Sequence, residues 1–211
     1  MKKIAITFCF IFLGLFSFAQ NTTDKALSDN IKVLNSAKTA QDLQNVKNKF
    51  TAQIKENSDW KPAYYAALSV LKQADLGLRT KKTENVEALA NEAFSYLEPI
   101  LASNPNNSEI KVLMAFAHII KMENNSSDFI VEKKKARELL YLEVNTDKNN
   151  PRFELMRAKL EYIILKNSKT DKNLKSSFQN AAAKLKSFTP KSENDPNWGF
   201  NDAQYYISIL K

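Results

Sequence analysis

An all-α chain of about nine helices, arranged as a solenoid of antiparallel hairpins, is what this sequence predicts. Three observations lead there. Only three glycines stand among 211 residues, so few positions invite a break or a left-handed turn. Apolar residues recur at i, i+3, i+4 along most of the chain, with little period-two alternation. Pro62, Pro105, Pro151 and Pro196 fall 43, 46 and 45 residues apart, each ahead of an apolar stretch, and such a period is what stacked helical hairpins leave in a sequence.

The elements can be taken in order. A helix is expected around Ala26 to Leu34, and a second carries the stripe Leu43, Val46, Phe50 and Ile54. After Pro62 come Tyr64, Ala67, Leu68, Leu71, Ala74 and Leu78, with Ala66 and Val70 as a second apolar flank. Its partner carries Val86, Leu89, Ala90, Ala93, Leu97 and Ile100. The segment after Pro105 has Ile110, Leu113, Met114, Ala117 and Ile120, widened by Val112, Phe116 and Ile119; Ala136, Leu139, Leu140 and Val144 form a shorter partner. Phe153, Met156, Leu160, Ile163 and Ile164 follow Pro151, and Leu174, Phe178, Ala181, Leu185 and Phe188 answer them. Phe200, Ala203, Ile207 and Leu210 end the chain as an unpaired helix. Proline is accepted in a helix's first turn and stops the preceding helix from running on. The post-proline helices (A) have stripes wide enough to pack on two sides, whereas their partners (B), such as the one bearing Lys175, Lys184 and Lys186, have one apolar face and belong on the convex exterior. Polar runs at 79–83, 124–127 and 166–171 read as surface turns.

The chain opens with Lys2 and Lys3, an apolar run from Ile4 to Phe18, and Ser17-Phe18-Ala19 in the manner of a cleavage site. Residues 1–19 are therefore expected to be a signal peptide and 20–211 a single exported domain, periplasmic or secreted. Fifteen apolar-dominated residues fall short of the ~20 that a spanning helix needs, so no transmembrane segment is expected after cleavage. Cys9, the one cysteine, would leave with the leader, and disulfides and thiolate chemistry with it. The remaining length suffices for one hydrophobic core.

The formal charge is +8, but only Arg79, Arg137, Arg152 and Arg157 are arginines, and lysines are spread along the whole chain. Arginine is the better bidentate phosphate ligand. The balance therefore points to solvated helix exteriors and not to nucleic acid.

The hairpin ending at Pro105 resembles the second half of a tetratricopeptide repeat: Ala93, Leu97, Ile100 and Pro105 keep its small–large–apolar–proline spacing. The period here is longer than that repeat's, and Ala136 lies fifteen residues before Pro151. The whole chain is similar to a group of exported tetratricopeptide-like proteins of Bacteroidetes. That resemblance runs through residues 36–40, Trp60 to Ala67, Asn104 to Ile110, Asn149 to Arg152, Pro196 to Gly199, and the leader end Phe18-Ala19-Gln20. A Gly-rich insertion common in that group is replaced here by residues 169–173. What the resemblance implies is a right-handed α–α superhelix in an exported protein, with no activity attached.

Candidate chemistry is sparse. His118 is the single histidine, which rules out a His-based triad or a multi-His metal site within one chain. Glu154 and Glu161 share a helix face, yet a glycosidase-like pair needs one acid of raised pKa in a closed cleft. No phosphate-cradling or nucleophile-elbow motif is present. The reading is a non-enzymatic protein without cofactor or metal, binding a protein or peptide partner in the cell envelope. Its contacts are expected on a concave strip of polar A-helix flanks: Tyr65 and Lys72, Lys111 and His118, Glu154 and Glu161, with Asn201 and Ser208 at the end. The alternative is a sugar- or small-ligand-binding helical protein using Trp60, Trp198 or the groove tyrosine, although both tryptophans sit where a large ring staples one hairpin to the next.

Overall fold

The computed structural model describes residues 24–54, 59–124, 128–142, 149–166 and 173–210. Among these residues every regular element is helical: α1 (24–36), α2 (Ala40–Ile54), α3 (Lys61–Arg79), α4 (Val86–Ser103), α5 (Ser108–Glu123), α6 (Phe129–Arg137, widening into a π turn at Glu138–Leu142), α7 (Pro151–Leu165), α8 (Leu174–Ser187) and α9 (Phe200–Ile209). None is long and apolar enough to cross a membrane. The expected leader, with Cys9, and Val144, the last residue of the Ala136 stripe, lie outside the described residues.

From α2 onward consecutive helices pack as neighbours, α6 meeting α7 through its π turn, and α3, α5 and α7 also touch in series, forming one continuous inner layer. The breadth of the A stripes explains it. On α3 an unbroken run from Pro62 to Leu71 is buried, and on α5 Ile110 to Leu113 and Ala115 to Ile120 are. Each of these helices is covered by its own partner, by the next hairpin and by the neighbouring A helix. By contrast α8 buries Leu174, Phe178, Ala181, Ala182 and Leu185 and leaves Lys184 and Lys186 in solvent. The solenoid arrangement expected from the proline ladder is thus the one found.

Local starts follow ordinary capping chemistry. At α2 the Thr39 hydroxyl accepts from the Asp42 N–H (3.1 Å) while the Asp42 carboxylate accepts from the Thr39 N–H (3.0 Å). Asn107 accepts from the Glu109 N–H at 3.0 Å to open α5, and Asn150 does the same for Arg152 ahead of Pro151 in α7. Pro62 and Pro151 lie inside the first turns of their helices, but Pro105 stands three residues before α5 begins. The ladder therefore marks each A helix without holding a constant register.

The C-terminus departs from expectation. The last helix is not unpaired: α9 packs on α8, and Asp202 reaches Lys72 (3.2 Å) and Arg79 (3.3 Å) of α3. Residues 188–199 lead to it as a strap. Glu193 accepts from the Ser28 hydroxyl (3.0 Å), Asn194 donates to the Asp24 carbonyl (3.2 Å), and Asp195 pairs with Lys61 (2.9 Å). Gly199 is the hinge. Its φ of 110° is open to glycine alone at low cost, and an added Cβ would lie 2.9 Å from Leu155.

Candidate functional site

The inner faces of α3, α5 and α7 carry two buried polar networks. In the first, the Tyr64 hydroxyl donates to Glu109 (3.1 Å), which also accepts from Asn150 (2.8 Å) and from Nε (2.8 Å) and Nη2 of Arg152. Arg152 is 1% exposed, and a buried guanidinium persists only with a partner of this kind. Burial opposes its charge, but Glu109 more than offsets this and raises the pKa above the ordinary arginine value. Burial, reinforced by Glu109, pushes the Tyr64 phenol well up, so Tyr64 is a permanent donor.

In the second network Lys159 of α7 contacts Asp75 of α3 and lies 3.8 Å from Glu123 of α5. Arg79 bridges Asp75 (2.5 Å) and Asp202 (3.3 Å), stacking over the Tyr205 ring at 4.0 Å. Burial works against the Lys159 ammonium, yet Asp75, with Tyr206 and Glu123 behind it, holds its pKa above the usual lysine value. The pairing of α7 with α3 shows how tightly the inner layer curls: its two ends meet across a buried salt bridge.

Between the two networks the strap fills the concave side. Trp198 is 6% exposed, stacks on Phe116 and donates its indole N–H to the Tyr64 oxygen at 2.8 Å. Trp60 is half-buried, edge-on to Tyr64. Trp198 is thus part of the core, and the two rings offer no shared platform for a sugar.

The six residues expected on one strip are not brought together. Tyr65 is buried, stacked on Phe50, and donates to the Asn194 carbonyl (3.1 Å). Lys72 is tied to Asp202 and lies over the Trp198 ring. Lys111 is buried within α5. His118 is buried on the outer side of the same helix, against Phe94 of α4, with Nδ1 on the Glu132 carboxylate of α6. Glu154 pairs with Lys184 (2.9 Å) and Arg157 (3.5 Å), so it faces α8, and Glu161 is half-buried near Tyr141. The residues that do align across the inner layer are Tyr64, Glu109 and Arg152. Their tyrosine–acid–arginine complementarity was visible in the sequence only once the helix starts were known.

No group of three or more His, Cys, Asp or Glu is placed to hold a metal ion among the described residues. A cleft of about 380 Å³ lies between the start of α2, the second half of α3 and the start of α4. Its floor is Leu76, Val86 and Leu89, and its mouth carries Lys38, Lys82, Thr39, Thr80 and Glu84. Gly77 shapes one wall: an added Cβ would meet the Lys82 carbonyl at 2.7 Å, so the tight 80–82 turn, with Lys81 at φ 60°, can close against α3.

No family model and no curated protein matches the chain. Among solved structures it is similar to the HusA haemophore from Porphyromonas gingivalis. The two superpose with a TM-score of 0.69 at 17% identity, over 89% of this chain and 92% of that one. The likeness establishes a shared all-helical architecture and joins this fold to one found in a Bacteroidete. The cleft between α2, α3 and α4 was not anticipated from sequence, because its lining comes from three helix ends and a turn with no common periodicity.

Proposed function

We propose that this chain is a non-enzymatic binding protein that carries a small amphipathic anion in the cleft between α2, α3 and α4. One observation carries the reading: the inner A-helix face is filled by the chain's own residues 188–202, while this cleft stays open with lysines over an apolar floor. At about 380 Å³ it falls at the small end of ligand pockets and takes one edge of a planar molecule. The shared fold with a protein named a haemophore supports a flat, apolar, carboxylate-bearing ligand. Lys38 and Lys82 would meet the carboxylates, and Leu76, Val86 and Leu89 the ring.

The lining holds no His, Cys, Met or Tyr, so iron would find no strong side-chain ligand there. Binding would rest on the ring and its carboxylates, and haemin and metal-free protoporphyrin IX should bind alike. Absorbance titration tests this. Both porphyrins should bind with affinities within about threefold of each other, and Lys38→Glu with Lys82→Glu should weaken both about tenfold. No spectral change with either would remove the reading. Residues 1–19, read as a signal peptide, would carry the chain to the cell envelope; the mature chain should then begin near Gln20 by N-terminal sequencing.

A protein or peptide partner is the second reading, favoured by the strap itself. Residues 194–198 lie on the inner face as a bound peptide would, with Tyr65 donating to a main-chain carbonyl. An outside segment would have to displace them. Lys72→Glu, which breaks the Asp202 tie, should then increase partner recovery in a crosslinking pull-down from envelope extract; unchanged recovery would remove this reading.

A further inference from the structure

The helix α6 turns an acid inward and several apolar side chains outward. Its buried side chains are Glu132 and Ala136, while Ile130 is 76% exposed, Val131 50% and Tyr141, in the π turn that follows, 44%. The buried acid is held by His118 and by Lys121 (3.5 Å), both on α5. Pinning Glu132 inward forces the opposite side of the helix out. Ile130, Lys134, Arg137 and Tyr141, spaced four, three and four apart, then run along its outermost line, flanked by Val131 and Lys135. Half of the large apolar side chains exposed among the described residues sit on this one short element.

The local charge is basic. Lys133, Lys134, Lys135 and Arg137 stand against Asp128 at the start of α6 and Glu138, which lies 3.9 Å from Lys134. At the Tyr141 end, Glu154 is spent on Arg157 and Lys184, and Glu161 and Arg157 both face the phenol. A ridge that alternates exposed apolar side chains with cations is the pattern of helices that lie in the headgroup region of an anionic bilayer. Lysine and arginine stems reach up to the phosphates while the apolar groups sink below them.

We propose that the α6 ridge docks this protein on an anionic lipid surface. A bilayer suits the ridge better than a folded partner. The line from residue 130 to 141 is about 16 Å long, and one helix's width gives a face on the order of 200 Å². A stable protein interface takes ~800 Å² on each side and a matching concavity, whereas a bilayer deforms around a convex ridge and adds attraction for every cation near it.

The test is flotation of the full chain, expressed with its own N-terminal segment, on vesicles. One set is phosphatidylcholine alone and another contains phosphatidylglycerol as a third of the lipid. Wild type should float with the anionic vesicles at low salt, and molar salt should release it at least fivefold. Lys134→Glu with Arg137→Glu should abolish the preference for anionic lipid. Ile130→Ser with Val131→Ser should lower binding several-fold with an unchanged far-UV circular dichroism spectrum, since both residues are already exposed. Equal flotation of wild type and both variants would overturn the proposal and place any binding in the N-terminal segment. If poly-glutamate strips the protein and the Ser variant binds as wild type, the ridge reads acidic polypeptides and the lipid assignment fails.

Discussion

Trp198 and Tyr64, 134 residues apart in sequence, share a 2.8 Å hydrogen bond that ties the C-terminal strap to the inner layer of the solenoid. The indole donates, and the phenol donates its own O–H to Glu109, which in turn holds Arg152 of α7. Strap, α3, α5 and α7 are therefore joined through one chain of buried donors and acceptors.

Replacing Trp198 should show this coupling. Trp198→Ala removes a large core ring and should cost about 3–5 kcal/mol of unfolding free energy. Trp198→Phe keeps most of the packing and loses the donor, for about 1 kcal/mol. Urea denaturation followed by circular dichroism measures both; equal and small effects would mean that the strap is not part of the cooperative fold.

The second buried network should behave as a coupled unit. Lys159→Met leaves Asp75 with Arg79 alone inside the core, and a loss of about 3 kcal/mol is expected. Adding Asp75→Asn should recover part of it, because the uncompensated charge is gone. A double-mutant cycle in urea reads the coupling; strict additivity would contradict a direct interaction.

Acid should loosen α6 first. Burial pulls the His118 pKa below its ordinary 6.5, an effect only partly offset by Glu132. For Glu132 burial acts upward, but the His118 hydrogen bond and nearby lysines win and hold it below 4.5. Both groups take up protons more readily when unfolded, so both contribute stability that is lost as pH falls. The histidine part disappears on acidification from about 6.5 towards its lower folded value, and the glutamate part below 4.5. His118→Gln should flatten the upper part of the curve in urea midpoints taken from pH 8 to 4 and leave the lower part.

Gly199→Ala should destabilise by about 1–3 kcal/mol, since the backbone there is at φ 110° and the new methyl would press on Leu155 and Leu185. For a chain of this length that is a fall of roughly 2–4 °C in Tm per kcal/mol, measured by a thermal melt. An unchanged Tm would mean that the hinge can relax.

Much of this fold was legible before any coordinates. Helix period, the width of the A stripes on α3 and α5 and the one-sided face of α8 are local properties, set by which residues recur every turn, and all were recovered. What escaped notice depends on contacts between distant segments. The residues before α9 are polar and aperiodic, so nothing local marked them as the filling of the concave face; Trp198 beside Pro196 was the sole hint. The residues of the candidate strip lie apart for a related reason: what each flank of an A helix meets is set by distant segments, as Tyr65 on the Asn194 carbonyl and Glu154 on Lys184 show. Glu132 reads as one more solvated acid in a basic run, and only its meeting with His118 and Lys121 shows that it is interior.

Hydrogen exchange with and without protoporphyrin IX tests the placement of the ligand site most directly. If the cleft between α2, α3 and α4 takes the ligand, added protection should gather at residues 38–43 and 76–89 and leave 188–202 unchanged. Protection centred on the strap and the inner face of α3, with none at the cleft, would contradict it.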